Sequence, residues 1–182
     1  GVAKADFFGE SYGGVAAIMI AVRYPELVGR VATYGATFGP PPVAHNPKMT
    51  QYDAPPTAHS NAFEFQRENY KKVASDPDYW PRIWEKVANF RWGGFSSEEL
   101  ASIKAPVLIA LGDRDFVRLE HAVETLSLIP NAELAVIPDA GHFALMSEQE
   151  RVIPIVKHFL EKPEKRNPVA TAGMGYRPGE TR

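Results

Sequence analysis

Ser11 lies in the stretch Gly9-Glu10-Ser11-Tyr12-Gly13, with an apolar run before it and a nearly unbroken apolar run after it. A serine hydroxyl is a poor nucleophile unless a base removes its proton. The G-x-S-x-G spacing is weak alone and gains meaning where a strand leads into the serine and a helix leads out. The reason is steric. The serine takes a strained backbone conformation to project its hydroxyl, and Gly9 and Gly13 are expected to give strand and helix room to approach. The amino end of that helix then turns its positive pole and first-turn N–H groups toward the hydroxyl.

A base and an acid are needed to make such a serine reactive. His142 follows an apolar run and a glycine in "PDAGHFALM". His45 and His59 fall in a proline-rich linker region, and His121 and His158 fall within helical patterns. A single histidine is usually structural. His142 differs because it sits at the carboxyl end of a strand pattern and completes the order serine, acid, histidine. The stretch "LIALGDRDFV" offers Asp113 and Asp115 just beyond another strand pattern. Asp115 is the chosen orienting acid. Asp113 is expected to shape the turn through its own backbone. Asp139, only three residues from His142, is poorly placed to reach the imidazole.

Four short apolar runs must position these groups: "ADFFG", "RVATYGA", "PVLIALG" and "ELAVIP". Helical patterns separate or follow them, which predicts a parallel, helix-covered α/β sheet. A first helix is expected over about Tyr12 to Tyr24, ended by Pro25. A second runs from about Arg118 to Ile129, with Leu119, Ala122, Val123, Leu126 and Ile129 on one face. A last helix is expected to open with a Ser147–Glu150 capping box, to bury Val152, Val156, Phe159 and Leu160, and to be kinked at Pro154.

The alternation is interrupted between residues 39 and 98. This segment opens with "GPPPVAHNP", carries helical patterns near Ala62–Ala74 and Pro81–Phe90, and contains Trp80, Trp84 and Trp92. It is expected to be a small helical lid at the carboxyl ends of the strands, where ligands bind in open α/β sheets. The resulting organisation is a first core part over 1–38, the lid over 39–98, a second core part over 99–162 and a disordered tail over 163–182.

Composition narrows the function. The 182 residues are 45% hydrophobic and 23% charged, with a formal net charge of −2 and no basic cluster, so nucleic acid is a poor partner. Cysteine is absent, which excludes disulfides, thiolate metal sites and a cysteine nucleophile. The five histidines show no close metal-ligand spacing, and neither a metal nor a cofactor is expected. The apolar run Val15 to Val22 is far too short to span a bilayer. No signal peptide is visible, and a cytoplasmic location is expected.

On "GESYGG", "GDRD" and "AGH", the chain resembles the carboxyl-terminal two-thirds of an α/β-hydrolase. The resemblance covers Ala3–Phe38 and Ile103–Glu161, and the insertion in kind only. It implies Ser11 as nucleophile, His142 as general base then acid, Asp115 as orienter and the Tyr12 backbone N–H as one oxyanion donor. Serine at the nucleophile position argues against the dehalogenase and epoxide-hydrolase branches, which carry aspartate there. The family's usual fold has four strands before the nucleophile strand, so roughly a hundred residues would be absent here. A fragment is therefore expected, with the second oxyanion donor outside it and the "ADFFG" strand left as an apolar edge.

The implied activity is hydrolysis of a carboxylic ester, or similar acyl compound, with a small or medium apolar substrate. Rivals using the same triad are perhydrolase, amidase and carbon–carbon bond hydrolase chemistry. A rival of another class is a non-catalytic ligand-binding member of the fold.

Overall fold

The computed structural model describes residues 1–47, 64–89 and 92–162. Strands β1 (Ala5–Glu10), β2 (Val28–Tyr34), β3 (Val107–Gly112) and β4 (Ala132–Ile137) form one sheet in the order β1-β2-β3-β4. Every neighbouring pair is parallel. Parallel neighbours need long crossovers. Helix α1 (Tyr12–Arg23) links β1 to β2, and α6 (Leu119–Leu128) links β3 to β4. Between β2 and β3 lie α2 (Pro41–Ala44), α3 (Glu64–Val73), α4 (Trp80–Asn89) and α5 (Ser97–Ala101). After β4 come α7 (Ala144–Ser147) and α8 (Gln149–Leu160).

Side chains alternate across the sheet and build two apolar layers. Val31, Ile109 and Leu111 pack with Ile18 of α1, Ile103 and Ile129 on one face. Ala32, Tyr34, Leu108 and Ala110 pack with Val152, Val156 and Phe159 of α8 on the other. All six residues of β3 are buried, as expected of a strand covered on both faces. Among the described residues β1 pairs on one side only, and Phe8 is 40% exposed. In α1 only Tyr12, Gly13, Ala16 and Arg23 are exposed, so its apolar sequence is used on most sides.

Two expectations about helices are corrected. Ser147 ends α7, where its hydroxyl donates to the Phe143 carbonyl, and α8 starts after Glu148 with no side-chain cap. The capping box forms instead at α5, between Ser96 and Glu99. In α6 the buried face runs through His121, Ala122 and Thr125, while Leu119 and Val123 are exposed. Polar groups on that face are partly satisfied: His121 Nε2 accepts from the Phe38 N–H at 3.1 Å, and the Thr125 hydroxyl donates to the His121 carbonyl at 2.8 Å, while His121 Nδ1 is buried without a partner among the described residues. Helix α8 runs through Pro154, which removes one donor inside it.

The chain divides into two compact units, and Lys48–Gly93 forms the smaller. Within it, α3 and α4 stand where the helical patterns place them, joined across a tight turn at Pro77–Tyr79. Trp80 contacts Tyr70 and Trp84, with ring centroids 5.5 and 5.9 Å apart. Lys86 donates to the Tyr79 hydroxyl at 2.7 Å. His59, the ends of those patterns at Ala62, Phe63 and Phe90, and the tail over 163–182 lie outside the described residues. Among the described residues no helix is long and apolar enough to cross a membrane.

Candidate active site

β1 ends at Glu10 and α1 begins at Tyr12, so Ser11 alone makes the turn between them. Its backbone stands at φ 52°, ψ −122°, a conformation that L-residues rarely adopt. Such strain costs about 1–3 kcal/mol and persists only where surrounding bonds impose it. Here the Ser11 N–H donates to the Tyr34 carbonyl at 2.8 Å, and the Ser11 carbonyl accepts from Gly14 and Val15 at 3.0 and 3.1 Å. A Cβ at Gly9 would overlap the Gly13 backbone, which explains the first motif glycine. The second needs another account. A Cβ at Gly13 meets nothing within 4 Å, whereas one at Gly14 would lie 2.6 Å from the Ala36 Cβ and 3.2 Å from the Thr33 Cβ. The close approach of α1 to the sheet therefore rests on Gly9 and Gly14.

Asp115 follows β3 and its side chain is fully buried. Its Oδ1 accepts from the Val117 N–H at 3.1 Å, which fixes the carboxyl orientation. Asp113 and Asp139 remain at the surface, where each lies within 4 Å of Arg114. The acid turn and the histidine loop are bonded together. The Asp113 N–H donates to the Ile137 carbonyl, and the Arg114 N–H to the Ala140 carbonyl at 3.0 Å. Gly112 permits this contact, since a Cβ there would overlap the Ala140 carbonyl oxygen.

His142 lies between the other two groups. Its Nδ1 is 3.0 Å from Asp115 Oδ1, and its Nε2 is 3.1 Å from Ser11 Oγ. A carboxylate only accepts, so Nδ1 carries the proton of the neutral ring and Nε2 accepts from the serine hydroxyl. The imidazole packs on Phe116 at 4.1 Å between centroids and meets Phe143 edge-on at 5.2 Å. The loop carrying it is held from below by the Tyr34 hydroxyl, which donates to the Gly141 carbonyl at 2.7 Å. The structure thus brings Ser11, Asp115 and His142 together at the carboxyl ends of the strands. Tyr12 opens α1 directly after the nucleophile candidate.

Gly35, Tyr34 and Glu10, not singled out in the sequence, lie about Ser11, Asp115 and His142, and the remaining described histidines are accounted for. Gly35 stands at φ +59°, and a Cβ on it would lie 2.7 Å from His142 Nδ1 and 2.9 Å from Asp115 Oδ2. Its two signals, a glycine and a position just past a strand, are common in any sheet. His45 packs edge-on against Phe116, and burial holds its imidazole below the usual range, with the nearby His142 acting in the same direction. Burial pushes the Tyr34 phenol up to about 12, aided by the negative charges of Asp115, Glu10 and Glu148. Burial also raises the Glu10 carboxyl, while His142 pulls it down and Asp115 pushes it up. His121 lies in α6 with Nε2 committed to Phe38, and His158 is exposed on α8.

Among the described residues no group of three or more His, Asp or Glu could hold a metal ion. A cavity of about 430 Å³ opens at the amino ends of the strands, lined by Lys4, Glu26, Gly29 and Lys104 among others. It is remote from the serine–histidine pair.

The model of the Alpha/beta hydrolase family matches residues 1–155. The chain is 28% identical to 2-hydroxy-6-oxo-6-phenylhexa-2,4-dienoate hydrolase of Burkholderia cepacia, over 88% of this chain and 64% of that protein. It is also 28% identical to poly(3-hydroxyalkanoate) depolymerase of Ectopseudomonas oleovorans, over 90% of this chain and 63% of that protein. The chain thus spans just under two thirds of the length of these curated relatives. A solved 2-hydroxy-6-oxo-6-phenylhexa-2,4-dienoate hydrolase from a Rhodococcus species superposes with a TM-score of 0.66 at 22% identity, covering 87% of this chain and 65% of that one. A family match over most of the chain, on an all-parallel sheet with this strand–turn–helix corner, leads to one assignment: the chain belongs to the Alpha/beta hydrolase family.

Proposed function

We propose that the chain carries the nucleophile, base and acid of a serine hydrolase that cleaves a carboxylic ester through an acyl-enzyme. The observation that carries this reading is the continuous hydrogen-bonded series from Ser11 Oγ through His142 to Asp115, at 3.1 and 3.0 Å. In it, His142 Nε2 takes the hydroxyl proton as Ser11 Oγ attacks the acyl carbon. Asp115 holds the ring in the Nδ1–H tautomer and stabilises the imidazolium that forms. The Tyr12 N–H, at the amino end of α1, donates to the developing oxyanion. The imidazolium then protonates the leaving oxygen. A water deprotonated by His142 attacks the acyl-enzyme and releases the acid and Ser11.

A second reading keeps the same residues and changes the bond. The Burkholderia cepacia relative is a 2-hydroxy-6-oxo-6-phenylhexa-2,4-dienoate hydrolase, which favours carbon–carbon bond hydrolysis of a related dienoate. There the leaving group is carbon, and it must receive its proton at carbon.

The test is labelling with a fluorophosphonate, followed by turnover of p-nitrophenyl esters and of that dienoate side by side. Labelling that disappears in Ser11→Ala, with ester turnover, is expected. Labelling that persists in Ser11→Ala overturns the assignment. Turnover of the dienoate alone moves the conclusion to the second reading.

A further inference from the structure

We propose that Phe116 is a positioning residue for the base: its ring sets the plane of the His142 imidazole, and a strap at residues 44–46 seats that ring. The inference rests on the serine-hydrolase reading above. The need for such a wall follows from the two bonds His142 makes. Its Nδ1 contact to Asp115 at 3.0 Å leaves the ring free to swing about a single point. Its Nε2 contact to Ser11 Oγ at 3.1 Å is consumed by the proton transfer itself. In the acyl-enzyme the ring must still aim Nε2 at a water, and neither bond dictates its plane.

Phe116 supplies that restraint. The two ring centroids are 4.1 Å apart, with 42° between the planes. Aromatic pairs usually stand about 4.5–7 Å apart, so this contact is tight. Phe143 also meets the imidazole, edge-on at 5.2 Å, but it is 49% exposed and confines the ring less. Phe116 is partly buried against the apolar core and is held at both backbone and ring. Its carbonyl accepts the Asn46 N–H at 2.7 Å, and the Arg118 N–H donates to the Ala44 carbonyl at 2.9 Å. An antiparallel bridge joins His45 to Val117 between them. The His45 ring stands edge-on against Phe116 at 4.8 Å. The strap is stiff, because Pro40, Pro41 and Pro42 fix their own φ and the His45 N–H donates back to the Pro41 carbonyl at 2.9 Å. The next N–H after Phe116, that of Val117, is the donor that orients Asp115. Phe116 and Val117 thus restrain base and acid together, and a strap far from both in sequence holds the pair.

The test compares Phe116→Ala, Phe116→Leu and Phe116→Tyr by fluorophosphonate labelling of folded protein and by ester turnover. Phe116→Ala is expected to lower the labelling rate constant and kcat by about 10-fold or more, with KM changed by less than about threefold. Phe116→Leu keeps bulk without a flat face and is expected to fall between. Phe116→Tyr keeps the ring and is expected to restore most of the rate. Nitrogen-15 NMR of the His142 ring in alkaline solution gives a readout without turnover. The Nδ1–H tautomer alone is expected in the unmodified protein and in Phe116→Tyr, and mixed tautomers in Phe116→Ala. A folded Phe116→Ala variant with normal labelling and one tautomer overturns the proposal, as does an effect on KM alone. Should Phe116→Ala not fold, equal rates in Phe116→Leu and Phe116→Tyr overturn it. His45→Ala is expected to slow labelling less than Phe116→Ala does, and to add nothing to it in the double variant. Effects that multiply overturn the role given to the strap. Absence of labelling in the unmodified protein would instead overturn the serine-hydrolase reading, and the tautomer comparison would still decide the role of Phe116.

Discussion

Gly35→Ala is the most direct test of how the site is held. The alanine Cβ would start 2.7 Å from His142 Nδ1, and 2.9 Å from both His142 Cε1 and Asp115 Oδ2. Ordinary contact begins at 3.4 Å, so the ring and the carboxyl must retreat by about 0.7 and 0.5 Å. Neither has slack. The ring is wedged against Phe116, and Asp115 is tied to the Val117 N–H. A 3.1 Å serine–histidine contact lengthened by this amount leaves hydrogen-bond range. Misplacement of a reacting group by about 1 Å costs about 10²-fold in rate. The φ of +59° adds a backbone penalty of about 1–2 kcal/mol for any residue with a Cβ. Gly35→Ala is therefore expected to lower kcat/KM, and the rate constant of fluorophosphonate labelling, by about 10²-fold or more. The melting temperature should fall by only about 2–8 °C. A folded Gly35→Ala variant that labels at the normal rate would refute this account of how the histidine is positioned.

Other substitutions test separate parts of the structure. Gly13→Ala is expected to be neutral or stabilising by about 0.5–1 kcal/mol in urea titration, whereas Gly9→Ala and Gly14→Ala should prevent folding of the turn and leave no labelled serine. Tyr34→Phe strips the donor from the Gly141 carbonyl, and a loss of about 1–3 kcal/mol in stability with a fall in kcat is expected. His121 is held neutral by burial, with its folded pKa below 6.5. The unfolded chain then binds the extra proton first, so stability is complete above about 6.5 and declines as pH falls below it, by at most about 1.4 kcal/mol per unit. His45 acts with the same sign and the raised Glu10 carboxyl with the opposite one. Urea midpoints measured between pH 7.5 and about 5.5 should therefore be flatter for His121→Gln than for the unmodified protein.

The strands, and the three candidate residues that the structure brings together, were legible because their signals are local. "PVLIALG" reads as a buried strand from composition alone, and Asp115 and His142 follow strands at short range. What the sequence did not reveal depends on contacts between distant segments. Gly35 is required only because β3 and β4 deliver Asp115 and His142 on top of it. Gly13 carries the motif, yet the crowding falls on Gly14, whose neighbours Thr33 and Ala36 lie beyond a whole helix and strand. The S-x-x-E pattern occurs at both Ser96 and Ser147, and it caps a helix only at Ser96, which is itself extended, whereas Ser147 is the last residue of α7. The buried His121 face of α6 was missed because its partner, the Phe38 N–H, arrives from elsewhere in the chain.

One residue holds both the Ser11 turn and the His142 loop. The Tyr34 carbonyl receives the Ser11 N–H, and its hydroxyl reaches the carbonyl just before His142. Tyr34 itself is wholly enclosed in the interior. The spacing of Ser11 and His142 is thus inherited from the centre of the sheet. Segments that make neither bond can therefore change without moving Ser11 against His142.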